Sequence, residues 1–229
     1  MRHILIVMSL ALAACATPAP VALEAAPRGA AAGSPVAVAL PGDAGTSLNP
    51  ADAPAGAYQL DARHVAVIWR VRHMGLGLYT ARFDTVAGEL NFDPQNPANS
   101  SVSVTIDANS VSTGLTNARG ERAFDGEIAR VLGAETAPEI RFVSRSIALT
   151  GPATGLISGD LTLNGQTHPV ILEAQFQGGR LVHLRNKHVL AFSGRTIIQR
   201  SQWGAGSVIF NQFAGDAVEI LIEAEFIQS

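Results

Sequence analysis

The sequence holds one cysteine, Cys15, in 229 residues, so no disulfide can close within the chain and its core alone must hold the fold. Charged residues make up only 15% and the formal net charge is −3, which leaves no cationic field for wrapping a nucleic acid. Aromatic residues amount to 6% and are scattered, unlike the two girdles of an outer-membrane barrel. The first apolar run, Ile4 to Ala13, is too short for a permanent membrane helix. No Gly-x-Ser-x-Gly elbow occurs, and no histidine or cysteine spacing resembles a closed zinc site. What the chain does have is apolar side chains, at 47%, ample for a real core and incompatible with a wholly disordered chain.

The N-terminal stretch reads as an export signal: Arg2 supplies the positive start, Ile4 to Ala13 the apolar segment, and small residues follow. "LAAC", Leu12 to Cys15, resembles a bacterial lipoprotein signal. That resemblance implies cleavage after Ala14 and a lipidated Cys15, which would hold the protein on a periplasmic membrane surface without crossing it. An ordinary signal peptide with an incidental Cys15 is the alternative. From Ala16 to Ala57 alanine, proline and glycine dominate and no period persists, so residues 15–57 are expected to be a flexible tether. The folded domain is expected over 58–229.

From Tyr58 the period becomes two. Val65, Val67, Trp69 and Val71 fall on one face; the pattern recurs at Val102 to Ile106, at Leu161 and Leu163, at Val170 to Phe176, and at Val218 to Ala224. "DPQNP", "TGPATG", "NGQTHP" and the pair Gly178–Gly179 read as the turns between them. About eight such strands predict an all-β, antiparallel barrel or sandwich. One interruption, Thr113 to Pro138, contains "DGEIARVLG", expected to be a short helix capped by Asp125 and stopped at Gly133.

The order of these pieces resembles the YceI-like family of exported β-barrels. It is carried by "YQLDARHVAVIWRVRHMGLGLYTARFDTVAGELNFD", "APEIRFVSRSI", "ISGDLTLNGQTHPVILEAQF", "FSGRTIIQRSQWG" and "GDAVEILIEAEF", and it covers nearly all of Tyr58 to Phe226. The connection after Arg119 departs from the family's pattern, since Gly120 stands where an aspartate is usual and the loop is slightly longer. The resemblance implies a lipocalin-like, eight-stranded antiparallel barrel with a short helical excursion. It also implies an internal pocket for a long isoprenoid, such as a quinone or polyprenyl phosphate, or a similar amphiphilic lipid. The lining is then expected from Val67, Trp69, Val71, Phe83, Phe92, Val104, Ile106, Phe142, Leu161, Leu163, Leu172, Phe176, Phe192 and Ile220.

"HMGLGLY" could be a phosphate-gripping loop only if a helix followed; a strand follows, so it reads as a turn or bulge into that strand. His73 has two readings, a structural histidine at the strand end or a donor to a lipid head group at a barrel mouth. Arg82 and Arg119 could add charge to such a head group, or could be ordinary surface arginines. His183 and His188 are where a metal would be sought, although no metal site is expected. Glu219, Glu223 and Glu225 read as a solvated stripe, and Trp69 and Trp203 as either core filling or ligand wall. Carriage or sequestration without catalysis is therefore expected, with no cofactor beyond a bound lipid. A lipid-modifying enzyme using His73 and a ligand-free envelope protein are the alternatives. The oligomeric state, a dimer included, is open.

Overall fold

The computed structural model describes residues 45–229; the signal segment, Cys15 and the tether as far as Asp43 and Ala44 lie outside the described residues. Ten strands follow in order: β1 (Gly56–His73), β2 (Leu78–Phe83), β3 (Val86–Phe92), β4 (Ser101–Asp107), β5 (Val111–Ser112), β6 (Glu139–Leu149), β7 (Thr154–Leu163), β8 (Gln166–Val182), β9 (Lys187–Gln199) and β10 (Ala214–Gln228). All pairings are antiparallel, and β10 returns to pair with β1, so the sheet closes on itself.

The ten strands make eight staves. β2 and β3 are two halves of one bent stave, since β1 pairs with β3 through its first residues and with β2 through its last. β4 and β5 are likewise one stave interrupted at Ala108–Ser110, pairing with β3 and β2 in turn. The result is the closed, eight-stranded antiparallel barrel expected, with Val67, Phe83, Leu161 and Ile198 among the buried inward positions. Closure removes the sheet edges, which an open sheet would expose to unwanted pairing.

The closure seam is fixed by charge as well as by backbone pairing. Glu219 on β10 accepts from Arg70 Nε of β1 at 2.8 Å and from Arg195 Nε of β9 at 2.8 Å, crossing three staves on the outer face. Its side chain is only 16% exposed, so this member of the expected solvated stripe is instead a clamp. Both arginines hold its carboxyl below the usual glutamate range, Arg195 more strongly.

Turn chemistry decides most connections. Asn164 and Gly165 take φ of 51° and 69°, the left-handed pair of a two-residue hairpin between β7 and β8. Gly178–Gly179 is not a turn: both lie inside β8, where the register to β9 shifts by one residue. Gly178 adopts φ 152°, and a Cβ there would stand 2.7 Å from Thr46 Cγ2. The glycine pair marks a bulge against which the N-terminal segment packs. The β8–β9 hairpin instead turns at His183 to Asn186.

That N-terminal segment is packed where a flexible tether was expected. Ser47 pairs with Gly179, a 3-10 turn spans Pro50–Asp52, Ala53 is buried, and Tyr58 Oη donates to the carbonyl of Pro54 at 2.7 Å. Residues 45–57 are thus a strap bound to the barrel. Composition suggested otherwise because each residue contributes little; the bulge in β8 supplies the partner.

The long connection carries α1 (Ala123–Val131), which begins two residues before the expected cap. Asp125 lies in its first turn rather than at its cap. It is buried and accepts from the backbone N–H of Thr113 at 2.9 Å and from the Thr113 hydroxyl, and it pairs with Arg122. Burial raises its pKa, but Thr113 and Arg122 outweigh burial and hold it below the usual range. Ile128 and Ala129 of α1 join the core at the barrel end where β1 finishes. A short helix, α2 (Phe210–Phe213), lies before β10.

Candidate functional site

Alternation turns one side chain in two toward the axis, and small or thin inward residues leave space between the larger ones. Two chambers result. The inner one, about 170 Å³, lies toward α1 and α2; the outer, about 380 Å³, lies toward the strap and the Asp93–Ser100 loop. They abut at Val67, Phe142 and Leu172, which line both.

All fourteen residues expected to line an interior space do so. Trp69, Val71, Phe83, Ile106, Leu161, Leu163 and Ile220 face the inner chamber, and Phe92, Val104, Phe176 and Phe192 face the outer, in addition to the three shared positions. Phe92, Phe176 and Phe192 form a cluster in which Phe176 and Phe192 centroids are 5.3 Å apart and their rings 67° inclined. Missing from the sequence reading were the wall contributions of the connections. Pro50, Pro94, Pro97 and Pro152 border the outer chamber, and Ile128, Leu132, Ala205 and Phe210 the inner. Their signal, apolar residues within otherwise polar loops, is present but carries no period.

The electrostatics of the interior are simple. The outer chamber has no charged residue in its lining; its polar members include Asn49, Gln95, Ser100 and Ser193. The inner chamber has one, Arg200. That guanidinium already donates to the carbonyls of Gly215 (2.9 Å), Ala205 (2.8 Å) and Ala214 (2.9 Å) and to Asn211 Oδ1 (2.7 Å). Four of its five N–H groups are thereby used to fix the connection before β10.

The two tryptophans have different roles. Trp203, 1% exposed, donates from Nε1 to the Leu161 carbonyl at 3.0 Å and stacks edgewise on His168; it is structural. Trp69 Nε1 and Tyr79 Oη are buried without a hydrogen-bond partner, their rings 6.1 Å apart. Burial pushes the pKa of the Tyr79 hydroxyl up.

The three head-group candidates stand apart from both chambers. His73 is exposed; its backbone N–H donates to Gly77 O at 2.9 Å and its carbonyl accepts from Leu76, which closes the turn into β2. Arg82 is on the outward face of β2, paired with Asp84 at 2.9 Å. Arg119 is exposed in the long connection, its backbone N–H bonded to Asn117 Oδ1. The strand parity of Arg82 directs it to solvent. His73 borders neither chamber.

Among the described residues, Asp61, His64 and Glu225 form the one cluster with metal-ligand character, their ligand atoms all within 4.8 Å of one another. It arises because β1 leaves its register between Leu60 and Val65, so that four residues face Glu225 alone. Asp61 Oδ2 is shared between His64 Nδ1 at 2.9 Å and Arg185 at 3.6 Å, and Asp61 Oδ1 accepts the N–H of Arg63. The arginine supplies the charge a cation would bring, and the cluster clasps the bulge. His183 and His188 do not belong to it.

A closed antiparallel barrel with a hollow, apolar axis is the architecture of barrels that enclose one slender ligand. Comparison narrows this class. The YceI-like domain model matches residues 58–226, and the chain belongs to that family. It is 35% identical to a UPF0312 protein of Photorhabdus laumondii over 133 residues, 57% of this chain and 67% of that protein. Among solved structures, BcnA of Burkholderia cenocepacia shares the fold with a TM-score of 0.63 at 22% identity, over 72% of this chain and 98% of that one. A polyisoprenoid binding domain from Saccharophagus degradans, implicated in plant cell wall breakdown, does so at 0.55 and 17% identity, over 75% of this chain and 98% of that one.

Proposed function

We propose that this protein binds a long-chain isoprenoid or similar amphiphilic lipid in the bacterial envelope, for carriage or sequestration without catalysis. The observation that carries the reading is the pair of apolar chambers abutting at Val67, Phe142 and Leu172. A hydrocarbon chain threaded through that waist would gain about 0.8 kcal/mol per buried methylene. The family and the polyisoprenoid-binding neighbour support the same ligand class.

The lining favours one kind of head group. With no cation around the outer chamber and Arg200 committed elsewhere, an anionic phosphate would enter without a counter-charge, at high desolvation cost. An uncharged head, a quinone or phenol for example, can be met by Asn49 and Gln95 at the outer rim. A lipidated Cys15 would hold the carrier at a periplasmic membrane surface, consistent with export of a chain whose stability needs no disulfide.

Native mass spectrometry of the full chain purified from its host tests the proposal. A co-purifying long-chain lipid is expected, and added long-chain quinone should occupy protein stripped of it. Repeated recovery of bare protein that takes up no quinone overturns it.

A further inference from the structure

The barrel end beyond α2 carries a second apolar feature, on the outside. Leu76 is 74% exposed, Val208 82% and Ile209 67%, and Met74, Leu78 and Phe213 are also exposed. These six come from two adjoining segments, the turn after β1 and the connection before β10. The backbone N–H of Met74 donates to Phe213 O at 2.7 Å and joins them. At the opposite end the exposed Leu48, Leu149 and Leu184 come singly from three separate segments. Exposed apolar side chains gathered on two joined segments of a folded domain mark an interaction surface.

Within these two segments the charge is of one sign, while α1, packed beside them through Phe124 on Phe210, exposes both Glu127 and Arg130. Residues 72–78 and 204–215 contain Arg72 and His73 and no aspartate or glutamate. Arg72 is exposed, and its guanidinium donates to the carbonyl of Leu76, which holds the cation beside the apolar tip. The first acid beyond them, Asp216, is bound by the backbone N–H and hydroxyl of Ser201. Protruding apolar tips flanked by cations complement an anionic lipid surface.

The same connection forms the wall of the inner chamber. Val208 and Ile209 point outward, while the next residue, Phe210, and Ala205 line the chamber. We propose that this end docks onto an anionic bilayer, with Leu76, Val208 and Ile209 entering the interface. Docking then places the Phe210 side of the inner chamber against the source or destination of the lipid. The purpose of docking rests on the carrier reading; the docking itself does not.

The test is co-sedimentation of the full chain, carrying Cys15→Ser so that no acyl group contributes, with vesicles of phosphatidylcholine containing about one third phosphatidylglycerol. Binding is expected, with at least a tenfold loss in the double variant Val208→Asp/Ile209→Asp. Arg72→Gln should lose about fivefold on these vesicles and nothing on pure phosphatidylcholine, the effect of one arginine near an anionic surface. Should the aspartate variant misfold, Leu76→Trp gives an independent reading, because its emission should shift to the blue on vesicles. Absence of vesicle binding, equal binding by the aspartate variant, or an unshifted Leu76→Trp emission overturns the proposal. So does a dimer that the aspartate variant abolishes without any vesicle binding, since a second copy then covers the patch. Quinone uptake in detergent should be unchanged in Val208→Asp/Ile209→Asp, which separates failure of docking from failure of lipid binding.

Discussion

The Trp203 indole nitrogen lies 3.0 Å from the Leu161 carbonyl, and that bond ties the segment after β9 to the wall of the inner chamber. Trp203→Phe keeps most of the packing and leaves a buried carbonyl without that donor. A loss of about 1–3 kcal/mol is expected, read as a lower denaturation midpoint with unchanged m-value. No shift in the midpoint would show that the bond contributes nothing to the chamber wall.

The waist should sort ligands by length. Leu172→Trp places a larger side chain where the two chambers abut, at a stability cost of about 1–3 kcal/mol for overpacking. Affinity for a long-chain quinone is expected to fall at least tenfold, while a short-chain analogue that fits one chamber binds as before. Calorimetric titration with the two quinones checks this; equal losses for both would mean that the chambers are not used in series.

The seam clamp predicts an acid-sensitive contribution. Arg195 and Arg70 lower the Glu219 pKa in the fold, so its stabilisation is complete above the unfolded glutamate value of about 4.3 and is lost as pH falls through the lower folded value. The stability difference between wild type and Glu219→Gln should be constant from pH 8 to pH 6 and shrink below about pH 4. Unfolding curves at several pH values measure it. A difference that instead grows toward low pH would contradict the assigned direction.

Gly178 holds the strap. Gly178→Val adds a Cβ 2.7 Å from Thr46 Cγ2 in a backbone region that β-branched residues avoid. The strap from Thr46 to Ala53 is expected to detach while the barrel stays folded, seen as faster hydrogen exchange at the Ser47 and Gly179 amides and new proteolysis near Pro50. Unchanged protection at both amides would show that the strap is held by other contacts.

Much of the barrel was legible in the sequence because its information is local. Period-two alternation needs only neighbouring residues, and it identified Val67, Trp69, Val104, Leu172 and other inward positions; Asn164–Gly165 specified its own turn through left-handed backbone preference. The strap, by contrast, has no periodic signal, and Gly178–Gly179 read as a turn because a glycine pair at a bulge and one at a hairpin look alike until the facing chain is known.

By itself, then, the amino-acid order determined the strands, their inward faces and the apolar character of the interior. Tertiary structure alone decided which residues meet. Closure sets Arg70 beside Glu219, 149 positions away, and gathers Asp61, His64 and Glu225 at one bulge. The physical reason is that side-chain direction follows from the local backbone, whereas proximity across a barrel seam follows from register and closure, which no short stretch of sequence encodes.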